Sequence, residues 1–454
     1  MYRLSRCVYL PEVLITLSAA AAAWLLMGRL PDAGFPLQLA VSLGTPLFTA
    51  AAVRLSGLRR RPLLLLGWLL ATLFVLLRFI WFAAETSDYT DFLRPWTNWF
   101  RTHGHLAGLG RDVGNYNVPY LVFLALFSCL DVPELYLIKL LSTLFDLLTG
   151  ITVCRLVLHV NASEKRGCAA FVLTLALPTL FLNTSIWGQC DGIYVSLALL
   201  GLYLCLAGKP GAGMVSLGVS FAFKLQAVFL IPVFFACLLC RKLKLRHLPL
   251  FPAAYLLAVS PALIAGKPVW DVLLFYAKSA STVGNGLNYN SPSMYSLPPF
   301  YNPADPEGAA RLGVLLAFLL CLLFALVFIL RRRQISDRSI LFAALLLTCG
   351  IPLFLPHMHD RYFYFVDVLT LAVACVVPLT APLVLFSQFA SLLGYHAYFF
   401  MRYYLPMKYG FMALVPVVVC AAALTAAQLW PPARQEAEPP ESTPDGGCGS
   451  GIDP

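Results

Sequence analysis

Long apolar runs separated by short polar stretches make up almost the whole chain. A helix needs about 20 apolar residues to cross about 30 Å of hydrocarbon. The runs do not alternate with a period of two, as the strands of a membrane-spanning barrel would. The pattern therefore predicts an all-α, polytopic transmembrane protein with about thirteen or fourteen spans. The predicted spans lie near residues 11–28, 36–53, 62–83, 134–158, 167–186, 190–207, 211–224, 225–240, 247–266, 309–330, 339–356, 362–379, 381–400 and 411–430.

The composition excludes a soluble globular protein. Of the 454 residues, 60% are hydrophobic and only 12% are charged, and the mean hydropathy is +0.78. A soluble domain carries roughly twice that charged fraction, about 25%. Residues 1–430 are predicted to form a single transmembrane domain. Residues 431–454, rich in Pro, Glu and Gly, are predicted to be a disordered cytoplasmic tail.

Basic residues gather in a subset of the loops and predict the orientation of the chain. By the positive-inside rule these loops face the cytoplasm. Basic loops beside anionic lipid also account for the net charge of +10 without a nucleic-acid partner. The basic loops are 54–61, 155–166, 241–246 and 331–338.

The remaining loops are then predicted to lie outside the cell. This alternation requires the short apolar stretch from Tyr120 to Leu130 to be interfacial or re-entrant. The first span follows Arg3 and Arg6 and is predicted to be an uncleaved signal anchor, with a cleaved signal peptide as the alternative. The predicted outer loops are 84–117, 187–191, 267–308, 356–361 and 401–410, of which 84–117 and 267–308 are the two large ones.

No motif indicates a nucleotide or a metal. The 13 cysteines are scattered mostly inside apolar segments, which favours burial as small apolar side chains over a disulfide framework or a zinc site. The glycines form no phosphate-binding loop and no dinucleotide fingerprint. We therefore predict no nucleotide site, no metal site and no required cofactor, and we leave a divalent cation open.

The first outer loop places two carboxylates at the mouth of a predicted span. Asp88 and Asp91 follow the span 62–83 directly. Ionisable groups at this depth are costly and usually functional. We interpret Asp88 as a general base and Asp91 as a candidate second acid. The alternative is an aromatic interfacial belt with solvated charges, because Trp96 and its aromatic neighbours recur there at helical spacing.

Three further polar groups are predicted at outer helix ends. Trp187, Gln189 and Asp191 occupy a very short turn and are predicted to bind substrate or shape the site; the alternative is that they only tie two helix ends together. Lys224, followed by Gln226, interrupts an apolar run. It is predicted to contact a phosphate, and the alternative is a lysine that snorkels to the interface.

The last group lies between the spans 339–356 and 362–379. His357 and His359 have a spacing that permits metal binding, but no further ligand is evident, and we predict no metal there. Arg361, with its planar guanidinium, suits a phosphate better. Together with Tyr362 these residues are predicted to contribute to an anion site on the outer face.

A carboxylate base, several cationic groups and surrounding apolar spans suit the transfer of a sugar from a polyprenyl phosphate to a hydroxyl. Asp88 would remove the hydroxyl proton, and Lys224, His359 and Arg361 would stabilise the departing phosphate. A single displacement of this kind inverts the anomeric centre. Two alternatives remain: a transporter or flippase of a lipid-linked or small solute, and a polymerase or ligase of lipid-linked glycans.

These residues carry a resemblance to a known family. The motifs look like those of GT-C class integral-membrane glycosyltransferases, and the chain most resembles bacterial relatives of the second mannosyltransferase of GPI-anchor assembly, over about residues 80 to 370. The chain departs from that pattern in having Asp360 where the family usually has Glu, and in having two additional hydrophobic segments before the first outer loop. The motifs are Asp88-Tyr89, Tyr116 with Pro119, Trp187-Gly-Gln189 with Asp191, Lys224 with Gln226, and His359-Asp-Arg361-Tyr362.

The resemblance implies more than the residues alone. It implies that Asp88 is the catalytic base, that the acceptor is a lipid or glycan, and that the site faces the outside of the plasma membrane. The motifs do not fix the donor sugar, and mannose is favoured from the family name only. The second large outer loop, 267–308, is rich in amide and aromatic residues and is expected to help bind the acceptor. The alternative for this loop is a rigid cap.

Overall fold

The chain folds as a bundle of α-helices. The computed structural model describes residues 9–281 and 286–431. Each of the fourteen predicted apolar segments is helical, which confirms the predicted all-α polytopic fold. The helices are α1 Leu10–Met27, α2 Gly34–Leu55, α3 Arg61–Phe79, α4 Arg94–Thr102, α5 Val118–Phe127, α6 Glu134–Asn161, α7 Glu164–Ala176, α8 Pro178–Leu182, α9 Asp191–Leu206, α10 Pro210–Phe223, α11 Ile231–Leu239, α12 Leu250–Ile264, α13 Val269–Leu273, α14 Phe275–Ser281, α15 Pro306–Leu330, α16 Asp337–Phe354, α17 Tyr364–Val376, α18 Pro382–Phe400 and α19 Lys408–Leu429.

Fewer helices are long enough to cross a membrane than the apolar runs suggested. By length and composition, nine helices of the described chain qualify, or ten if the bent pair Glu164–Ala176 and Pro178–Trp187 forms one span. The other four predicted segments are shorter helices, Asp191–Leu206, Pro210–Phe223, Leu225–Leu239 and Tyr364–Val376. The four shorter segments fall below the length of a straight crossing helix. Of these, α9 and α17 are buried almost throughout inside the bundle, so other helices and not lipid set their length.

The short apolar stretch after Pro119 is also helical. α5 has ten residues, which rise only about 15 Å and cannot cross the hydrocarbon alone. Its first residue is capped by the Asn117 side chain, which accepts a hydrogen bond from the backbone N–H of Val118 at 2.9 Å. This length agrees with the prediction of an interfacial or re-entrant segment.

The predicted cytoplasmic loops meet at one end of the bundle, which we call the basic end. The Glu164 carboxylate accepts from the backbone N–H groups of Arg59 and Arg60 at 2.9 Å each. In addition, Lys242 lies 3.0 Å from Asp337. These contacts join the loops 54–61, 155–166, 241–246 and 331–338 in one layer, as the positive-inside rule requires.

The predicted outer loops meet at the opposite end, which we call the site end. Two short parallel strands, β1 Asn288–Tyr289 and β2 Met358–His359, join the second large outer loop to the loop between α16 and α17. Tyr289 pairs with His359 in this ladder, and their rings stack with centroids 4.6 Å apart. The second large loop is thereby fixed beside the residues predicted to bind an anion.

Three predictions fall outside the described residues. They concern the tail after Pro431, residues 282–285 of the second large loop, and the residues before Tyr9, which include Arg3 and Arg6.

A buried ion pair joins α3 and α6 inside the bundle. Arg78 on α3 donates to Asp146 on α6, with Nη2 to Oδ2 at 3.0 Å, and the two side chains are 0% and 1% exposed. Arg78 also donates to the carbonyl oxygen of Leu175 at 3.0 Å. Asp146 further accepts from the hydroxyls of Thr184 at 2.8 Å and Tyr364 at 3.3 Å. One carboxylate thus connects α3, α6, the turn after α8, and α17.

We predict that Arg78→Met destabilises the protein strongly. Removing one partner of a buried pair leaves an uncompensated charge and typically costs about 3–5 kcal/mol of unfolding free energy. The double substitution Arg78→Met with Asp146→Leu is expected to recover part of this loss, because no lone charge remains. Denaturation in mixed micelles measures both. Arg311→Met, which breaks an exposed pair with Glu307, is the matched control, and an equal loss in that variant would contradict the prediction.

Candidate active site

Eight of the eleven predicted site residues line one cavity of about 600 Å³ at the site end. Its wall comes from the first outer loop, the start of α9, the break after α10, α14, β1, the loop before α17, and α18. The lining includes Asp88, Phe92, Trp96, Asn115, Tyr116, Asn117, Gln189, Phe223, Lys224, Leu225, Gln226, Phe275, Tyr276, Tyr289, Asn290, His357, Met358, His359, Asp360, Arg361, Tyr362 and Tyr398.

Asp88 is held through one of its two carboxylate oxygens. Its Oδ2 accepts hydrogen bonds from Trp187 Nε1, at 2.8 Å, and from Gln189 Nε2. Its backbone N–H donates to the hydroxyl of Tyr398 at 3.0 Å. Oδ1 has no hydrogen-bond partner within 9–281 and 286–431. The carboxylate is therefore fixed in orientation and keeps one oxygen available to a ligand.

Irregular backbone next to Asp88 and next to Trp187 orients these two side chains toward each other. Asp88 directly precedes a π-helical turn, Tyr89–Leu93, and Trp187 ends a second one, Asn183–Trp187. Such turns are rare and occur mostly at functional sites. Gly188 follows with φ of 73°, a left-handed conformation that favours glycine. This reversal places Trp187 and Gln189 on the same carboxylate.

The turn around Gln189 is itself supported from two sides. Gln189 Oε1 accepts from the hydroxyl of Tyr116 at 3.1 Å, so both ends of the amide are used. The Trp187 ring is fully buried and stacks on Tyr398 with centroids 3.9 Å apart. The structure therefore brings Tyr116, Trp187 and Gln189 together around Asp88, and their role in binding substrate or shaping the site stays a prediction.

Asp191 and Lys224 form a buried pair behind this turn. Lys224 Nζ donates to Asp191 Oδ1, and the side chains are 9% and 0% exposed. The other oxygen of Asp191 accepts from Asn183 Nδ2 at 3.0 Å. Lys224 lies at the break between α10 and the following 3₁₀ turn, with the rings of Tyr194 and Tyr362 5.6 and 5.7 Å from its ammonium. Its charge is neutralised inside the protein, so it does not snorkel to the interface.

Arg361 is surrounded by carboxylates but hydrogen-bonded to none of them. The guanidinium lies 3.6 Å from Asp88 Oδ2, 3.5 Å from Asp191 Oδ2 and 3.6 Å from Asp360 Oδ1. Its Nε is buried and has no partner. A guanidinium carries five N–H donors, and within the described chain none of them meets an acceptor. These donors are therefore available to an anionic ligand in the cavity.

Burial changes the protonation of two neighbours of Arg361. Burial, with Arg361 adding to its effect, lowers the pKa of His359 to about 3, so the ring is neutral near pH 7. Burial also raises the pKa of Asp360 to about 7, against the opposing effect of Arg361. A neutral ring can still donate one hydrogen bond to a phosphate, and the phosphate contact of His359 stays a prediction.

Of two other predicted residues, Asp91 and Gln226, only Gln226 lines the cavity. Asp91 is exposed, accepts from the Thr90 hydroxyl at 3.0 Å, and does not line the cavity. The structure thus does not bring this candidate second acid to the site. Gln226 does line the cavity, and its Oε1 is buried without a partner, so it offers an acceptor to a ligand.

His357 is turned away from a metal-binding arrangement. Its Nδ1 is 2.7 Å from the carbonyl oxygen of Gly286, which occupies one ring nitrogen in the loop. In the ranges 9–281 and 286–431, no group of three or more His, Cys, Asp or Glu lies close enough to hold a metal ion.

Several residues of the site were not predicted from the sequence. Tyr398 lies on α18, 310 residues after Asp88, and nothing in its local sequence marks it. Lys139 and Ser142 lie inside the predicted span 134–158. An ionisable residue such as Lys139 by itself indicates function at such a position. Lys139 was therefore detectable, whereas Tyr398 could be found only through contacts in space.

We predict that the stability difference between Asp360→Asn and wild type depends on pH. The pKa of Asp360 in the folded protein is raised to about 7. Its protonated form therefore contributes to the free energy of unfolding below the pKa of the unfolded state, and this contribution is lost as pH rises through 7. The asparagine variant cannot ionise. Its melting temperature relative to wild type should therefore rise between pH 5 and pH 8, and a difference that stays constant over this range would contradict the shift.

Comparison with known protein families finds a match that agrees with this site. The sequence model of glycosyltransferase family 87 matches residues 115–356, more than half of the chain. No curated protein matches the chain. The match supports the expected resemblance to membrane glycosyltransferases; the closer resemblance to relatives of the second mannosyltransferase of GPI-anchor assembly stays a prediction. Asp88 and Arg361 lie outside the matched range, so their roles rest on the geometry.

Proposed function

The chain belongs to glycosyltransferase family 87, and on this premise we propose that it is an inverting enzyme that transfers a hexose from a polyprenyl phosphate to a hydroxyl of a lipid-linked or cell-surface acceptor. The observation that carries the proposal is the pairing of Asp88 with Arg361 across 3.6 Å in one cavity. A fixed carboxylate with a free oxygen and a guanidinium with unused donors lie side by side. These are the groups that proton removal and phosphate departure need.

The reaction follows from this arrangement. The acceptor hydroxyl attacks the anomeric carbon while its proton passes to Asp88, and the new glycosidic bond forms as the bond from the anomeric carbon to the phosphate oxygen breaks. General-base help of this kind is typically worth about 10²–10⁴ in rate. The unused oxygen Oδ1 is the atom we assign to the proton.

Arg361 is assigned to the departing phosphate. As the bond breaks, negative charge grows on the phosphate oxygens, and fixed donors aimed at them lower the barrier. Lys224 donates to Asp191. It therefore contributes mainly by holding that carboxylate, which would otherwise compete with the phosphate for Arg361. His359 supplies a neutral hydrogen-bond donor.

The remaining wall of the cavity suits the two substrates. Phe223, Leu225 and Phe275 give one part an apolar lining that is suited to the first isoprene units of a lipid donor. Phe92 and Trp96 line another part, with ring centroids 5.9 Å apart, and offer flat faces to an acceptor sugar. Mannose as the donor sugar follows from the family resemblance alone.

The proposed location is the plasma membrane with the cavity on the extracytoplasmic side. The basic loops lie at the end opposite the cavity, and the positive-inside rule assigns that end to the cytoplasm. Transport of a lipid-linked or small solute is an alternative function. Family membership and the gathering of polar groups at one end both favour sugar transfer over transport.

We predict that Asp88→Asn strongly lowers the rate of transfer while Asp91→Asn does not. Because Trp187 and Gln189 both donate to one oxygen of Asp88, the asparagine would present its carboxamide oxygen to them and its NH₂ to the acceptor. The rate should fall about 10²–10⁴-fold. Transfer of labelled sugar from polyprenyl-phosphate-mannose and polyprenyl-phosphate-glucose, at equal expression, measures this. Equal losses in both variants would contradict the assignment.

We predict that Arg361→Lys lowers kcat/KM for the donor about 10²-fold. Lysine keeps the charge but loses the planar fork that matches phosphate oxygens, and one preorganised donor is worth about 10²–10³ in rate. Steady-state kinetics with varied donor measures the effect. Arg311→Lys, on an exposed helix face, should behave as wild type, and an unchanged Arg361→Lys enzyme would rule out a role for the fork.

A further inference from the structure

Lys139 is a fully buried lysine inside a membrane-spanning helix, and neither the proposed reaction nor the sequence motifs use it. It lies on α6 with 0% exposure. Within the described chain no carboxylate lies within ion-pair distance of its ammonium. A charge in such a place is costly and is normally kept for a function.

All three protons of the ammonium are donated to one short piece of backbone. Lys139 Nζ donates to the carbonyl oxygens of Trp81 at 3.0 Å, Phe82 at 3.0 Å and Ala84 at 2.6 Å. These carbonyls follow α3, at a helix end where the last carbonyl groups lack helical partners and where a cation is favoured by the helix dipole. Lys139 therefore fixes the chain at the point where it leaves α3.

Asp88 follows Ala84 by only four residues, and its loop is held at both ends. Lys139 holds the beginning, while the Tyr398 hydroxyl accepts from the Asp88 backbone N–H at the end. Between them, the Thr86 hydroxyl donates to the carbonyl oxygen of Trp187 at 3.3 Å. A shift of the 81–84 segment would be passed to Asp88 because few bonds separate them.

The same face of α6 also supports the partner turn of Asp88. Ser142, one turn after Lys139, donates from its hydroxyl to the carbonyl oxygen of Gln189 at 2.8 Å. A Cβ on Gly188 would lie 3.7 Å from Lys139 Cε, so the lysine stem packs directly under that turn. One helix face thus contacts both the loop that carries Asp88 and the turn that binds its carboxylate.

We propose that Lys139 is a positioning residue that sets the Asp88 carboxylate in place beside Arg361, acting through the carbonyls of Trp81, Phe82 and Ala84. The inference rests on the proposed function, because it concerns where the proposed base is held. Reactions of this kind are sensitive to placement, and an error of about 1 Å can cost about 10²-fold in rate.

The first test measures the loop directly and requires no activity. Hydrogen–deuterium exchange of the purified full chain is compared for wild type, Lys139→Met and the control Thr143→Val. Thr143 lies one turn away, and its hydroxyl bonds only to the carbonyl of Lys139. We expect exchange of residues 82–90 to rise about tenfold in Lys139→Met and to stay unchanged in the control. Unchanged exchange in Lys139→Met would overturn the proposal.

The second test separates positioning from a general loss of structure by a double-mutant cycle. Lys139→Met alone should lower kcat about 10²-fold, with the donor KM within about threefold of wild type. In an Asp88→Asn background the same substitution should cost less than about threefold, because there is no base left to misplace. Losses that multiply would show that Lys139 acts independently of Asp88 and would overturn the proposal.

A conservative variant guards against misfolding. Lys139→Arg keeps a cation and several donors facing the carbonyls and should recover most of the lost rate. If Lys139→Met does not fold, the cycle is run with Lys139→Arg and Lys139→Gln, with the arginine variant expected to be the faster; equal rates would contradict the role.

If Asp88→Asn keeps the wild-type rate, the proposed base itself is wrong, whereas a strongly slowed Asp88→Asn enzyme with multiplying losses overturns the positioning role alone.

Discussion

Charge compensation in a place with little water is the constraint on which the site depends. Arg361 lies within 3.6 Å of the carboxylates of Asp88, Asp191 and Asp360, and Lys224 neutralises Asp191. With Asp360 protonated, two acids balance two bases, and no net charge remains in the cavity before a substrate enters. The distances around Arg361 are too long for hydrogen bonds. The site therefore holds its cation by charge alone and leaves its donors for a phosphate.

The bundle serves this arrangement through α6. Lys139, Ser142 and Asp146 follow one another at spacings that share a helix face. Lys139 is bonded to the segment after α3 and Ser142 to the turn at Gln189. Asp146 is bonded to Arg78 on α3 and to Tyr364 on α17. Polar side chains inside a membrane helix need partners, and here the partners are the backbones and side chains that carry the reactive groups. The stability of the bundle and the geometry of the cavity are thus linked.

Sequence reasoning was sufficient for the fold class and for much of the site. Long apolar runs predict helices because a helix satisfies its own backbone in lipid, and Asp88, Gln189 and Arg361 were conspicuous because charged and amide groups are rare at span ends. Hydropathy does not distinguish lipid contact from burial among other helices, so it does not separate the nine or ten long apolar helices of the described chain from the shorter, buried α9 and α17. Asp91 looked equivalent to Asp88 in sequence; only the π-helical turn between them separates an exposed carboxylate from one that lines the cavity. Tyr398 could not be predicted because its contact with Asp88 joins residues 310 positions apart.

The most direct test of the central claim is an experimental structure of the protein in lipid nanodiscs with a non-reactive polyprenyl-phosphate sugar analogue. We predict that phosphate oxygens lie within hydrogen-bond distance of the Arg361 guanidinium. The anomeric carbon should face Asp88 Oδ1, and the lipid chain should leave past Phe223 and Leu225. A phosphate bound at the basic end would contradict this prediction. So would a sugar bound in the cavity with Asp88 on the same side of the anomeric carbon as the phosphate, because an inverting attack comes from the opposite side.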